Sequence, residues 1–170
     1  KWFKVMEPLM NKTTLFLGYS DRQIILENKL FNYDKVYYID FDDTRSRIFN
    51  KRFELTGCVP SVSSVSIMAL MLAIYLGFKE IFLLGIEHTS FKLDGNFEYR
   101  HFYEGKDANA TGEMPNPEDL EVEFSGLVNL WQQYKVLRSC ATAKGIKIFN
   151  ATEGGLLDLF SRVKYETLFK

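Results

Sequence analysis

Residues 61–91 read SVSSVSIMALMLAIYLGFKEIFLLGIEHTSF and decide the fold. They predict a helix over Ser64–Leu76, which Ser63 or Ser64 caps at its start and a glycine ends. Two small residues of that helix, Ala69 and Ala73, are expected to be largely buried. The apolar run Ile81–Leu84 then predicts a strand covered on both faces, as in a parallel sheet.

Polar residues follow this strand, namely Glu87, His88, Thr89 and Ser90. In open α/β sheets ligands bind at the carboxyl ends of the strands, so Glu87 and His88 are candidates for donor binding. The alternative for His88 is a histidine that braces the strand end. A membrane span is not expected, because the densely apolar part of the helix is shorter than the roughly 20 residues that a span needs.

Composition limits the class of protein. The chain has 170 residues, of which 46% are hydrophobic, and this predicts one domain over 1–170 with a substantial core. The net charge of −1 provides no basic field for nucleic acid. Cys58 and Cys140 are expected to be buried free thiols of a reducing, cytoplasmic compartment. No secretory signal is recognised, and a first residue of Lys1 leaves open that the chain is a fragment.

Strands and helices are predicted to alternate along the chain. The other strands are placed at Thr13–Gly18, Lys35–Asp40 and Gly145–Asn150, and the other helices at 2–10, Arg22–Phe31 and Pro117–Lys144. The last helix carries an apolar stripe expected to be core, formed by Val122, Leu127, Leu130, Trp131, Tyr134, Leu137 and Ala141. This order predicts an α/β fold, a Rossmann-like three-layer sandwich with a mainly parallel sheet.

Three strand ends carry polar residues that such a sheet would gather on one edge: Asp40–Asp43, Glu87–Ser90 and Asn150–Gly155. Asp40 and Asp42 are candidate ligands of Mg²⁺ or Mn²⁺, since the pair is similar to the Asp-x-Asp of many glycosyltransferases. The alternative is that these aspartates begin a helix.

The polar stretch 87–117 is predicted to be a lid-like loop, because long loops of this kind in compact domains are usually functional or disordered. It contains His101, one of only two histidines in the chain. A histidine titrates near neutral pH, so His101 is the candidate general base for an acceptor hydroxyl. The alternative for His101 is an ordinary surface histidine.

Three pieces of sequence together carry a resemblance: SVS followed by LMLAIYLGFKEIFLLGIEH within 64–88, HFY at 101–103, and GIKIFNATEGGLL at 145–157. They resemble the 6-hydroxymethylpterin diphosphokinase-like (MptE-like) family, many of whose bacterial members accompany enzymes of surface-glycan synthesis. The first piece is also similar to bacterial CMP-sialic-acid-dependent sialyltransferases. Family members usually carry a nucleotide-binding Gly-x-Gly-Pro-Ser turn, for which LGYS at 17–20 is the nearest match. Either an N-terminal segment with that turn is missing, or the chain binds its donor differently.

The resemblance implies a transferase that uses a CMP- or UDP-linked sugar and a glycan acceptor, at the inner face of the membrane or free in the cytoplasm. Backbone N–H groups and hydroxyls at Ser63, Ser64 and Ser66 would bind the donor phosphate. Asn150, Thr152 and Gly154 would shape the nucleotide or acceptor pocket. Two alternatives remain: an ATP- and Mg²⁺-dependent diphosphokinase of a pterin-like alcohol, and a non-catalytic binding module.

Overall fold

The computed structural model describes residues 2–10, 13–32, 35–42, 54–89 and 120–169. Its helices are α1 (Trp2–Met10), α2 (Arg22–Glu27), α3 (Val65–Tyr75) and α4 (Leu120–Ala143). Its strands are β1 (Leu15–Gly18), β2 (Val36–Ile39), β3 (Phe41–Asp42), β4 (Val59–Pro60), β5 (Glu80–Leu83), β6 (Lys147–Asn150) and β7 (Ser161–Arg162). Short 3₁₀ turns lie at Tyr19–Asp21 and Tyr165–Phe169.

The strand pairs of the described chain are all parallel. β1 pairs with β2, β3 pairs with β4, and β6 lies between β5 and β7. In the last group Leu83 is opposite Asn150, so the carboxyl ends of β5 and β6 are level with each other. The predicted α/β class and its parallel pairing are therefore confirmed, in the form of three small sheets.

Two apolar cores hold these elements. The larger one joins α3 and α4 to the inward faces of β5 and β6, and its buried members include Ile67, Leu70, Met71, Ile74, Leu83, Leu130, Leu137 and Ile146. The smaller one gathers Leu15, Ile25, Leu30 and Phe31 beneath α1. The site described below lies at the end of the larger core, where α3 begins.

Most predicted elements are found close to their predicted bounds. Helix α3 begins directly after its N-cap Ser64, and Gly77 follows its end with a φ of 81°. Helix α2 is shorter than predicted, because the chain leaves the helix at Asn28 and turns at Lys29, where φ is 53°. The two-residue strands β3, β4 and β7 were not predicted, since two residues are too few for a periodic signal.

Among the described residues strand β5 is covered on one face only, contrary to the prediction. Its outward face carries Phe82, which is 41% exposed and stacks on Phe149 of β6 with ring centroids 5.2 Å apart. On the same face Glu80 pairs with Lys147 at 3.7 Å. A strand with one solvated face alternates apolar and polar positions, whereas the run of four apolar residues suggested two covered faces.

Three predictions of burial were also wrong. Ala69 is exposed and Ala73 only half-buried, because α3 turns its Ile67, Leu70, Met71 and Ile74 side to the core. Val122 is 70% exposed, so the apolar stripe of α4 becomes core only further along the helix. Neither cysteine is shown in a disulfide, as predicted, but Cys58 is half-buried and only Cys140 of the two is buried. Within the described residues, no helix has the length and apolarity needed to cross a membrane.

Candidate functional site

Ser64 organises the start of α3. Its backbone is extended, with φ −161° and ψ 160°, and its Oγ accepts a hydrogen bond from the Ile67 N–H at 3.3 Å. The first N–H groups of a helix have no partner within the helix. Among the described residues, no group accepts a hydrogen bond from the N–H of Val65 or Ser66. These two backbone N–H groups therefore remain available as hydrogen-bond donors beside the serine hydroxyls.

A line of hydrogen bonds runs from this helix start to His88. Ser64 Oγ lies 2.7 Å from Ser66 Oγ, which lies 2.7 Å from the Tyr134 hydroxyl oxygen. The Tyr134 hydroxyl lies 2.9 Å from His88 Nε2. We call Ser64, Ser66, Tyr134 and His88 the relay. It joins residues from α3, α4 and the loop after β5, so the fold itself brings them together.

Helix α4 supplies two buried polar residues to this region, Gln133 and Tyr134. Gln133 Nε2 donates to the Ser61 carbonyl at 3.1 Å, and its Oε1 accepts from the Ser63 N–H at 2.9 Å. Both ends of its amide are thus satisfied, as a buried amide requires. Gln133 therefore fixes the chain as it enters α3.

Sequence reasoning missed these two roles. Tyr134 was assigned to the apolar core stripe, and it is indeed fully buried, but its hydroxyl is the centre of the relay. Gln133 lies three residues after Leu130 and four before Leu137, which places it on the same buried face. A polar residue at helical spacing within an apolar stripe was the signal that could have found it.

The loops after β5 and β6 are hydrogen-bonded to each other. The Leu156 N–H donates to the Glu87 carbonyl at 2.7 Å, and the Ile86 N–H donates to Thr152 Oγ1 at 3.1 Å. Two of the predicted strand ends, at Glu87–Ser90 and Asn150–Gly155, are thereby brought into contact through their described residues. The side chain of Glu87 is exposed, whereas its backbone carries this contact.

Asn150 and Thr152 position this loop from inside the protein. Asn150 is fully buried; its Nδ2 donates to the Leu157 carbonyl at 2.9 Å, and its Oδ1 accepts from the Thr152 N–H at 2.9 Å. Arg162 of β7 closes the loop from outside, donating to the carbonyls of Thr152, Gly154 and Gly155. The geometry gives these residues a positioning role, and their predicted contact with a ligand stays a prediction.

The aspartates of the third strand end are less closely connected. The Asp40 carbonyl accepts from the Val59 N–H at 2.9 Å, and Asp42 is opposite Pro60, three residues before Ser63. In the described ranges, no group of three or more His, Cys, Asp or Glu side chains could hold a metal ion. Metal binding by Asp40 and Asp42 stays a prediction. His101 and the other residues of the predicted lid from 90 to 117 lie outside the described residues.

Burial sets the charge state of the relay. It lowers the pKa of His88 below its usual 6.5, although the neighbouring Glu87 carboxylate acts in the opposite direction. Burial also raises the pKa of Tyr134, against the opposite effect of its hydrogen bond with Ser66. Near neutral pH the relay is therefore an uncharged line of hydroxyls that ends on a neutral imidazole.

The lowered pKa of His88 predicts how the stability of the protein changes with pH. Because the pKa of His88 is lowered on folding, its contribution is fully present above pH 6.5 and is lost as the pH falls through the folded-state value. We expect urea unfolding between about pH 5 and 8 to show a loss of stability on acidification that is smaller in His88→Gln. An equal loss in parent and variant would contradict the assignment.

No protein-family model, curated protein or solved structure matches the chain. Function is therefore inferred from the geometry of the residues above, together with the resemblance in the sequence.

Proposed function

We propose that the chain is a transferase that uses a nucleotide-activated donor, in the manner of a glycosyltransferase of bacterial surface-polysaccharide or glycoprotein synthesis. The observation that carries the proposal is the start of α3, where two backbone N–H groups lie with the Ser64 and Ser66 hydroxyls, which Tyr134 connects to His88. Backbone N–H groups at a helix start, aided by the helix dipole, bind phosphate. The MptE-like and sialyltransferase-like sequence features agree with such a donor.

A groove beside this point would receive the rest of the donor. It has a volume of about 580 Å³ and runs from Ser63 along the first turns of α4, past Glu121, Ser125 and Asn129. Binding sites for small molecules usually measure about 300–1,000 Å³ and combine apolar walls with a few polar groups. A nucleoside bound there would have its phosphate at the start of α3.

The remaining predicted parts complete the proposal. His101 would be the general base toward a glycan acceptor, and Asp40 with Asp42 would hold Mg²⁺ or Mn²⁺ if the donor is a diphosphate. The small parallel sheets would belong to a Rossmann-like three-layer domain. A CMP- or UDP-linked sugar would be taken from the cytoplasm, with the protein free in solution or associated with the inner face of the membrane.

Thermal-shift measurements on the full-length protein, with CMP, UDP, GDP and ATP and with or without Mg²⁺, test the proposal. Ligands that bind only the folded state raise the unfolding temperature, so CMP or UDP should do so. A response restricted to ATP with Mg²⁺ would replace the proposal by the diphosphokinase alternative. No response to any nucleotide would favour the non-catalytic binding module.

A charge at Ser64 should specifically weaken donor binding. Ser64→Asp is expected to lower the affinity for the responding nucleotide by about tenfold or more, because a carboxylate would stand against the phosphate. Ser64→Asn is the matched control, since Asn and Asp cap helices equally well but only Asp is charged. Calorimetric titration of both variants gives the comparison. Equal affinities would place the phosphate elsewhere.

A further inference from the structure

The hydrogen bonds of the relay can be donated along the line in either of two directions. Each hydroxyl in it has one proton to donate and accepts with its lone pairs. In one direction Ser64 donates to Ser66, Ser66 donates to Tyr134, and Tyr134 donates to His88 Nε2. In the other direction every one of these bonds is reversed. All three oxygen–oxygen and oxygen–nitrogen distances, 2.7, 2.7 and 2.9 Å, allow both directions.

The two directions differ at the helix start. In the first, the Ser64 proton is used within the relay. In the second, Ser64 Oγ accepts from both Ser66 and the Ile67 N–H, so its own O–H is free to donate to a ligand. A neutral His88 permits both directions, since its Nε2 either accepts or donates according to tautomer. A protonated His88 permits only the second, because its Nε2 then always carries a proton.

We propose that Tyr134 is a positioning residue that couples the protonation of His88 to the hydroxyl of Ser64, through Ser66. Uptake of one solvent proton by the imidazole turns the relay so that Ser64 donates outward. The proposal rests on the proposed function for the nature of the ligand, a donor phosphate. Phosphate bound at Ser64 would in turn favour a proton on His88 Nε2, because linkage between two sites is reciprocal.

Among the described residues, the other groups around His88 provide no second line of hydrogen bonds from His88 to Ser64. Among the described residues the titratable groups facing it are Glu87, from its own loop, and Tyr134, from α4. The Trp131 ring lies 5.5 Å from the imidazole, and its indole N–H donates to Asp158 at 3.4 Å. A charge on His88 would also act on a phosphate through space, so the experiment must separate that effect from the relay.

The first measurement needs no ligand. Long-range ¹H–¹⁵N NMR spectra report the tautomer and the pKa of His88, once its signal is assigned with His88→Gln. Ser66→Ala, which does not touch the imidazole, should change both properties, as should Tyr134→Phe. Tyr75→Phe, which removes the hydroxyl of an exposed tyrosine in α3, is the control and should leave them unchanged. A His88 signal that is insensitive to Ser66→Ala would overturn the coupling.

The second measurement uses sulfate, which stays doubly charged across the range tested. Its affinity for the parent, followed by NMR, should fall by about tenfold between about pH 5.5 and 8, equivalent to one unit in the pKa of His88. Tyr134→Phe should lose most of this dependence although His88 remains. An undiminished dependence in Tyr134→Phe would overturn the relay in favour of a through-space charge. If Ser66→Ala alters His88 but sulfate does not bind the parent, the relay stands and the phosphate site of the proposed function is rejected.

Discussion

Gly155→Ala is expected to lower the free energy of unfolding by about 2–5 kcal/mol, the sum of a strained backbone and an overpacked contact. Gly155 has a φ of 74°, where a residue with a Cβ is strained. That Cβ would also lie 2.7 Å from Glu87 Cα and 2.8 Å from the Glu87 carbonyl oxygen. Both contacts are with backbone, so no side-chain rotation can relieve them.

The neighbouring glycine gives a matched control. Gly154 has nearly the same φ, 69°, but a Cβ there would meet no atom within 4 Å. Gly154→Ala should therefore cost only the backbone strain, about 1–2 kcal/mol. Denaturant unfolding of the parent and both variants measures the difference, which isolates the close approach of the two loops. Equal losses in the two variants would show that the loops are not in contact as described.

Local patterns were sufficient for much of this fold. The helix of α3 follows from Ser64 and from an uncharged run that ends at Gly77, and both signals lie within the segment itself. The strands β1, β2, β5 and β6 followed for the same reason, because short apolar runs bounded by turn residues are local features. The carboxyl-end placement of Glu87 and Asn150 then followed from parallel pairing, which depends only on the order of the elements.

The relay could not be predicted in this way. Ser66 and Tyr134 are 68 residues apart, and the bond between them depends on how α3 and α4 pack. A tyrosine in an apolar stripe looks like core whether or not its hydroxyl finds a partner. Side-chain partners across helices, and the outward face of β5, are set by tertiary packing, which a single sequence does not reveal.

Asn150→Asp is expected to lower the free energy of unfolding by about 3 kcal/mol or more at neutral pH. The substitution keeps the shape and the oxygen that accepts from the Thr152 N–H. It replaces the amide that donates to the Leu157 carbonyl by a second oxygen, which would face that carbonyl at 2.9 Å. A fully buried carboxylate without a partner is among the most costly single changes in a protein interior.

The pH dependence of this loss identifies its cause. Burial raises the pKa of the introduced carboxyl above its unfolded value of about 3.9, so the folded state keeps the proton to a higher pH. When protonated, the group can donate to Leu157 in place of the amide. The contribution of this carboxyl to stability is therefore fully present below about pH 3.9 and is lost as the pH rises through the folded-state pKa, so the deficit relative to the parent grows with pH. Asn32→Asp, at an exposed position, is the control and should show little loss.

Urea unfolding of the two variants and the parent at several pH values measures this difference. A deficit in Asn150→Asp that does not shrink on acidification would mean that the missing donor, not the buried charge, dominates. A deficit no larger than that of Asn32→Asp would mean that Asn150 does not hold the loop. Asn150 accepts a hydrogen bond from the Thr152 N–H, and Thr152 accepts one from the Ile86 N–H. A substitution that disturbs Asn150 should therefore also loosen the backbone that places His88 against Tyr134.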